Sequence, residues 1–301
     1  MAINVGNAAV NIRPSSSNSA AGGSANGGTS FPTEPNLSLW EDAPLELTRR
    51  CVMMWIAGDS DTGRTTLAFT APGPIAYIHA FEKHEGILQR RAQECTVRAH
   101  AFRESFPGTA DEVQQAAHAE MVGVERRISD AYTWARTIIV DTDSALWTLC
   151  QIARLGSMNR AERSETDRKK GQLIYQEINN RWQNMVKEFN YRADNPGNPS
   201  TTNLIFIGGI AEEYKGDKAT GRTIIKGQKN LFKSCDVVVR TAYAMSVPVI
   251  GQPPTTTYFA TIEKPWYEAS ARGVQVRSDE GTLSFAGIMT TITGDPDKWE
   301  R

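Results

Sequence analysis

Nine consecutive residues, Gly58-Asp59-Ser60-Asp61-Thr62-Gly63-Arg64-Thr65-Thr66, combine the residue types needed to cradle a phosphate chain. Their spacing is that of the phosphate loop G-x-x-x-x-G-[K]-[ST], with Arg64 at the position usually taken by lysine. Glycine is needed where backbone N–H groups must wrap around an anion, and a helix N-terminus favours negative charge. The hydroxyl that follows the cation is suited to Mg²⁺, and Thr65 supplies it. The whole run, Gly58 to Thr66, is therefore the candidate cofactor-binding segment. Arg64 is its candidate catalytic cation and Thr65 a candidate metal ligand. A Gly-rich strand-to-helix turn without ligand is the plain alternative.

A carboxylate for the same ion comes from a second motif. Thr137–Val140 is short and apolar and runs into Asp141-Thr142-Asp143-Ser144, the form of a Walker B strand. Asp141 is the candidate to hold the Mg²⁺ water shell, and Asp143 is placed to assist it. Many parallel strands end in aspartate, so this run gains its meaning from the phosphate loop upstream.

Both motifs must be positioned by strands, and the hydrophobic pattern supplies them. Cys51–Ala57 reads as a buried strand feeding the loop, with a short helix over Arg64–Thr70 stopped by Ala71-Pro72-Gly73-Pro74. Further strands are predicted at Ile75–Ala80, Thr96–Phe102, Thr137–Val140, Leu204–Ile207, Val237–Arg240, Thr257–Ile262 and Val274–Val276. Helical spacing fills Gly86–Glu94, Ala110–Ala135, Ser144–Leu155 and Gln172–Phe189, with a polar loop at Gly156–Gly171. Alternation of this kind predicts an α/β fold: a mostly parallel sheet flanked by helices, with an antiparallel extension at one edge. Pro14–Thr29 is Ser/Ala/Gly/Asn without charge or large apolar residues, too poor in burial to order itself. The predicted organisation is a Ser/Gly-rich tail at 1–36, one domain at 37–290 and a short C-terminal tail at 291–301.

Bulk composition narrows the class. The 301 residues are 40 % apolar and 22 % charged, with a formal net charge of −1 and a mean hydropathy of −0.41. No apolar run is long enough to span a bilayer, and the first residues lack the basic-then-apolar order of a signal peptide. The four cysteines and four histidines are scattered without metal-ligand spacing, as expected for reduced thiols in a cytoplasmic protein. Near-neutrality excludes a polycation that coats nucleic acid with its entire surface. The charge is nevertheless uneven. Residues 1–150 carry 12 basic against 17 acidic side chains, whereas 151–277 carry 19 against 12. A basic late section suits a face for a polyanion, or else a solvated helix face.

The order of these motifs resembles the phage-encoded RecA-like P-loop ATPases of single-strand annealing and recombination, within the AAA-type ATPases. The resemblance runs from about Trp40 to Lys264. It rests on the two Walker segments and on Ile207-Gly208-Gly209-Ile210-Ala211-Glu212-Glu213-Tyr214 leading to Ser234-Cys235-Asp236-Val237-Val238. It implies ATP with Mg²⁺, self-association into a ring or filament, and single-stranded DNA bound by inner loops, with replication or recombination proteins as further partners. The matching stretches, Gly156–Gly171 and Tyr214–Lys233, lie in the basic section. They offer Arg168, Lys169, Lys170, Lys215, Lys218, Arg222, Lys226 and Lys229 as DNA contacts, with Arg160 and Arg163 nearby. It also casts Glu82, or Glu85, as the carboxylate that orients attacking water. Lys264 and Arg272 fall where relatives place basic residues across a subunit boundary. Trp266-Tyr267 is either a base-stacking pair or a packed edge pair.

Three departures from that pattern predict retained nucleotide binding with weak turnover. Arginine at 64 is bulkier and planar, Asp61 replaces an inner glycine and brings negative charge near the phosphates, and Gly208-Gly209 ends a strand where relatives carry a polar γ-phosphate sensor. A P-loop scaffold that binds DNA or replication partners without turnover is therefore the second reading. A small-molecule kinase is a third.

Overall fold

The computed structural model describes residues 51–301 except 81–83, 156–164, 195–199, 216–217, 227, 229, 247–253, 267 and 300–301. The Ser/Gly-rich segment 1–36 lies outside the described residues.

The phosphate-loop strand β1 (Met53–Gly58) is buried along its full length, as an all-apolar run between two layers of helices must be. Around it the sheet order is β3-β2-β4-β5-β1-β7-β8-β9. The parallel part comprises β2 (Ile75–His79), β3 (Val97–Ala101), β4 (Thr137–Asp141), β5 (Asn203–Lys215), β1 and β7 (Val237–Met245). At one edge β8 (Thr256–Lys264) and β9 (Gln275–Arg277) add antiparallel strands, and β6 (Lys218–Ile225) returns antiparallel on the outer part of β5. Alternate side chains of each strand serve opposite faces. Met53, Trp55, Val140 and Phe206 pack under α3 (Ala110–Ala131), α4 (Asp143–Leu155) and α5 (Glu165–Ala193), chiefly against Met121, Leu146, Leu149, Trp182 and Phe189. Met54, Ile56, Tyr77, Ile139 and Ile207 face α1 (Arg64–Ala68) and α7 (Phe285–Thr293) through Leu67, Phe285, Ile288 and Met289. The helix α2 (Glu85–Ala92) lies on this second face, with Ile87 and Leu88 half-buried against it.

Local chemistry sets the ends. Helix α3 opens on a capping box: the Thr109 side chain accepts from the Glu112 amide, while the Glu112 carboxylate accepts from the Thr109 amide at 2.8 Å. Helix α7 starts on Ser284, whose hydroxyl accepts from Gly287 N at 2.9 Å, and stops at Gly294 with φ 71°.

The predicted α/β architecture with its antiparallel edge holds, but three boundaries move. Helix α5 begins at Glu165, so the predicted loop 156–171 is shorter by its second half. Its first turns are polar and carry no apolar stripe from which a helix could be read. Strand β5 does not end at Gly208-Gly209; pairing with β1 stops there and β6 takes up the hydrogen bonds from Ile210 onward. Tyr214–Lys233 accordingly spans the end of the β5–β6 hairpin and most of the short α6 (Leu231–Ser234). Packing also continues beyond residue 290: α7 runs to Thr293, and Trp299 is buried against Phe285 with ring centroids 6.2 Å apart. Cys51, Cys150 and Cys235 are buried and Cys95 half-buried, none of them in a disulfide. Among the described residues no helix is long and apolar enough to cross a membrane.

Candidate nucleotide-binding site

The loop leaving β1 is anchored before it turns. Gly58 lies beside Thr241 of β7 so closely that an added Cβ would stand 2.2 Å from Thr241 Oγ1 and 2.6 Å from Thr62 Oγ1. Only glycine permits this approach. The two hydroxyls lie 2.7 Å apart, one donating to the other; the accepting one keeps its proton for a backbone carbonyl, Asp59 O at 2.8 Å from Thr62 or Ala57 O at 3.2 Å from Thr241. At the far side of the loop Asp61 (φ 61°) and Gly63 (φ 80°) both adopt left-handed backbone. Aspartate is among the side chains that tolerate this region, which explains how it fits at an inner-glycine position. Asp59, Ser60 and Asp61 are exposed, so the Asp61 charge projects to solvent.

Beyond Gly63 the chain enters α1, and the side chains of its first residues diverge. Arg64 reaches across to β5, where Nη1 donates to Gly208 O at 2.6 Å. Thr65 is buried and turns the other way, its hydroxyl donating to Asp141 Oδ2 at 3.0 Å. Strand β5 lies between β1 and β4 in the sheet, so this bond joins two motifs that are not neighbours in strand order. Asp141 Oδ2 also accepts from the Tyr77 hydroxyl at 3.0 Å and lies 3.3 Å from His84 Nε2. Around these groups is a cavity of about 690 Å³, lined by Asp61, Arg64, Thr65, His84, Tyr258 and Leu283 among others. Its wall thus mixes one guanidinium, the Asp61 carboxylate, hydroxyls, an imidazole and an aromatic face.

Asp143 behaves differently from Asp141. It is fully buried, and burial pushes its carboxyl well above the usual carboxylate range, against the lowering pull of the amides in its own turn and of Arg64. Neither oxygen has a well-formed partner among the described residues, nor has the neighbouring Trp55 indole N–H. The two groups pinch Gly208: a Cβ there would meet Trp55 Nε1 at 2.6 Å and Asp143 Oδ1 at 2.9 Å. Asp143 is therefore a core group under β5; Asp141, also buried, is tied to the cavity wall through Thr65 and His84.

Of the candidate residues, Ser60, Asp61, Gly63, Arg64, Thr65 and Thr66 line the cavity, Asp141 is joined to it by Thr65, and Gly58 and Thr62 pack behind the loop against Thr241. Glu82 lies outside the described residues, and Glu85 is exposed in the first turn of α2. Of the basic candidates, Arg168, Lys169 and Lys170 fall on the first turns of α5. Lys215 and Lys218 are exposed at the turn between β5 and β6. Arg222 lies on β6, Lys226 is exposed just after it, and Lys229 lies outside the described residues. Lys264 does not reach outward: its ammonium donates to Phe232 O, Lys233 O and Cys235 O, closing the end of α6. Trp266 is half-buried and meets Trp299 edge-on with ring centroids 6.5 Å apart; Tyr267 lies outside the described residues.

Sequence reasoning missed Tyr77, His84, Thr241 and Tyr258. Tyr77 reads as core from its strand register. Thr241 is 179 positions from its partner Thr62 and carries no motif. His84 stands between Glu82 and Glu85, the glutamates singled out in its stretch, and was open to notice as the imidazole beside them.

A glycine-walled loop between β1 and α1, a carboxylate at the end of β4 and a parallel sheet flanked by helices define a P-loop nucleotide-binding fold. Residues 50–272 match the AAA domain family, and the chain belongs to it. None of the curated proteins compared with it matches. Members of this class bind a nucleotide, typically with Mg²⁺. The residues present fit both groups. Gly63 leaves the cavity wall free of a Cβ where an anion would approach, Gly58 behind it lets the loop close against Thr241, and Thr65 spends its proton on Asp141, which leaves its oxygen lone pairs for a hard cation.

Proposed function

We propose that the protein is an ATPase of low turnover that binds ATP with Mg²⁺ at Gly58–Thr66 and Asp141, and that it works on single-stranded DNA as an oligomer in recombination or annealing. The observation that carries the nucleotide reading is the 3.0 Å bond from Thr65 to Asp141. It joins a phosphate-loop hydroxyl to a Walker B carboxylate across an intervening strand. Bound Mg²⁺ would neutralise phosphate charge as the γ-phosphoryl group departs. The chain's own part is to hold the phosphates by loop amides and Arg64, fix the ion's water shell through Thr65 and Asp141, and line the mouth with His84. Low turnover is supported by Arg64, whose guanidinium is engaged with Gly208 O and lacks the compact charge of lysine.

The DNA reading is supported by the exposed Lys215, Lys218 and Lys226 of the β5–β6 hairpin and by the excess of basic residues in this part of the chain. Fluorescence anisotropy with a labelled oligothymidine tests it, run with and without Mg-ATP across a salt series, with sedimentation to read assembly. Binding is expected to weaken as salt rises, and the triple substitution Lys215→Ala, Lys218→Ala, Lys226→Ala is expected to flatten the log–log slope by about 2, at ~0.7 per lost phosphate contact on a single strand. No binding at low salt would overturn this reading.

A further inference from the structure

Two of the departures from the usual phosphate-loop pattern meet in space. Arg64 stands where lysine is expected, and Gly209 where β5 lacks a polar side chain; the Arg64 Nη1 that donates to Gly208 O lies 3.8 Å from where a Gly209 Cβ would be. Gly208 has no room for a side chain, being closed in by Trp55 and Asp143. Gly209 has room. A Cβ there would make ordinary contacts with Arg64 and with Lys226 Cδ at 3.5 Å. The space that a polar side chain at 209 would use is thus the space the guanidinium borders.

We propose that Arg64 supplies both polar functions of this corner: the cation of the phosphate loop and the group at the end of β5 that distinguishes a triphosphate from a diphosphate. The inference rests on the nucleotide reading above. A guanidinium carries five N–H donors in a rigid fork, so one edge can stay on Gly208 O while another meets a terminal phosphate. An ammonium also has three donors, but they radiate from one nitrogen on a flexible stem, so the groups it joins must crowd around a single point, whereas the fork presents them with separate nitrogens. The backbone bond holds the fork in place before ligand arrives, so less freedom is lost on binding. Arginine and the missing side chain are then one device rather than two defects. It follows that lysine at 64, although closer to the usual pattern, makes this particular protein worse unless residue 209 is changed as well.

The test is a double-mutant cycle with R64K, G209Q and R64K/G209Q, read by equilibrium fluorescence binding of mant-ATPγS and mant-ADP in Mg²⁺. Urea denaturation without nucleotide shows first that each variant is folded. There R64K is expected to lower the midpoint, because the Arg64–Gly208 bond is lost. Wild type is expected to prefer the triphosphate by about tenfold, the size of one charge-assisted hydrogen bond, and R64K to fall within about twofold of no preference. In G209Q the amide competes with Arg64 and preference drops; in the double variant the glutamine supplies the missing donor and preference returns. Full discrimination by R64K, or additive losses in the double variant, would overturn the inference while leaving nucleotide binding intact. Failure of the folded wild type to bind either nucleotide would instead overturn the nucleotide reading, and this inference with it.

Discussion

Gly58→Ala tests whether the phosphate loop is held as tightly against β7 as the geometry requires. The new methyl carbon would stand 2.2 Å from Thr241 Oγ1, 2.6 Å from Thr62 Oγ1 and 2.8 Å from Thr241 O. Neither hydroxyl can simply swing aside without breaking a bond, since the two are bonded to each other and the one that accepts also holds a backbone carbonyl. The Thr241 carbonyl belongs to β7, paired with β1 at this register position, and moving it disturbs the sheet. Overpacking of this kind costs about 1–3 kcal/mol, and the broken Thr62–Thr241 bond adds about 1, giving a loss of ~2–4 kcal/mol. Urea unfolding followed by circular dichroism measures it. Adding Thr241→Ala removes the nearest oxygen but not the carbonyl, so recovery should be partial. Gly86→Ala is the matched control: its Cβ meets nothing within 4 Å inside helix α2, and it should stabilise by roughly 0.5–1 kcal/mol. Were Gly58→Ala to unfold within about 0.5 kcal/mol of wild type, the size expected of a neutral surface change, the close approach of loop and strand would be refuted.

Thr65→Ala and Asp141→Asn should both weaken the Mg²⁺ dependence of nucleotide binding, and Thr65→Ser should retain it because the hydroxyl remains; titrating Mg²⁺ at fixed ATP separates these outcomes. His100 supplies a pH signature. Burial first, then the Arg127 charge, lowers its pKa, with Glu120 pulling the other way, so the folded imidazole stays neutral where the unfolded one takes a proton. As pH falls below about 6.5 the unfolded chain binds more protons and stability declines until the folded pKa is passed. His100→Gln should flatten that decline in urea midpoints measured between pH 7 and pH 5, and an unchanged slope would argue against a depressed His100.

What was legible in the sequence followed from dense local signals. Met53–Gly58 is wholly apolar and ends in glycine, Thr137–Asp141 is apolar and ends in a carboxylate, and strands separated by helices from β1 to β5 dictate a parallel sheet. The Thr65–Asp141 contact follows once those two strand ends are placed at the same edge of the sheet. Residues that act through distant partners were hidden. Thr241 reads as an ordinary strand threonine until β7 is laid beside β1, and Tyr77 has the register of a core residue although its hydroxyl serves Asp141. Glycine pairs usually weaken strands, which is why Gly208-Gly209 looked like an end. Strand β6 keeps β5 extended past that point, and no local feature of β5 announces it. The C-terminal boundary was misplaced for a similar reason, since Trp299 is short-range in sequence but is held by long-range packing.

The central claim is that Gly58–Thr66 and Asp141 form a Mg²⁺-dependent nucleotide site, and denaturation in the presence of ligand tests it most directly. Mg-ATPγS at a hundred times its dissociation constant should raise the unfolding free energy by about 2.7 kcal/mol. The gain should vanish with EDTA and in Gly58→Ala. Unfolding that is indifferent to millimolar Mg-ATPγS and Mg-ADP, in a protein folded by circular dichroism, would contradict the account.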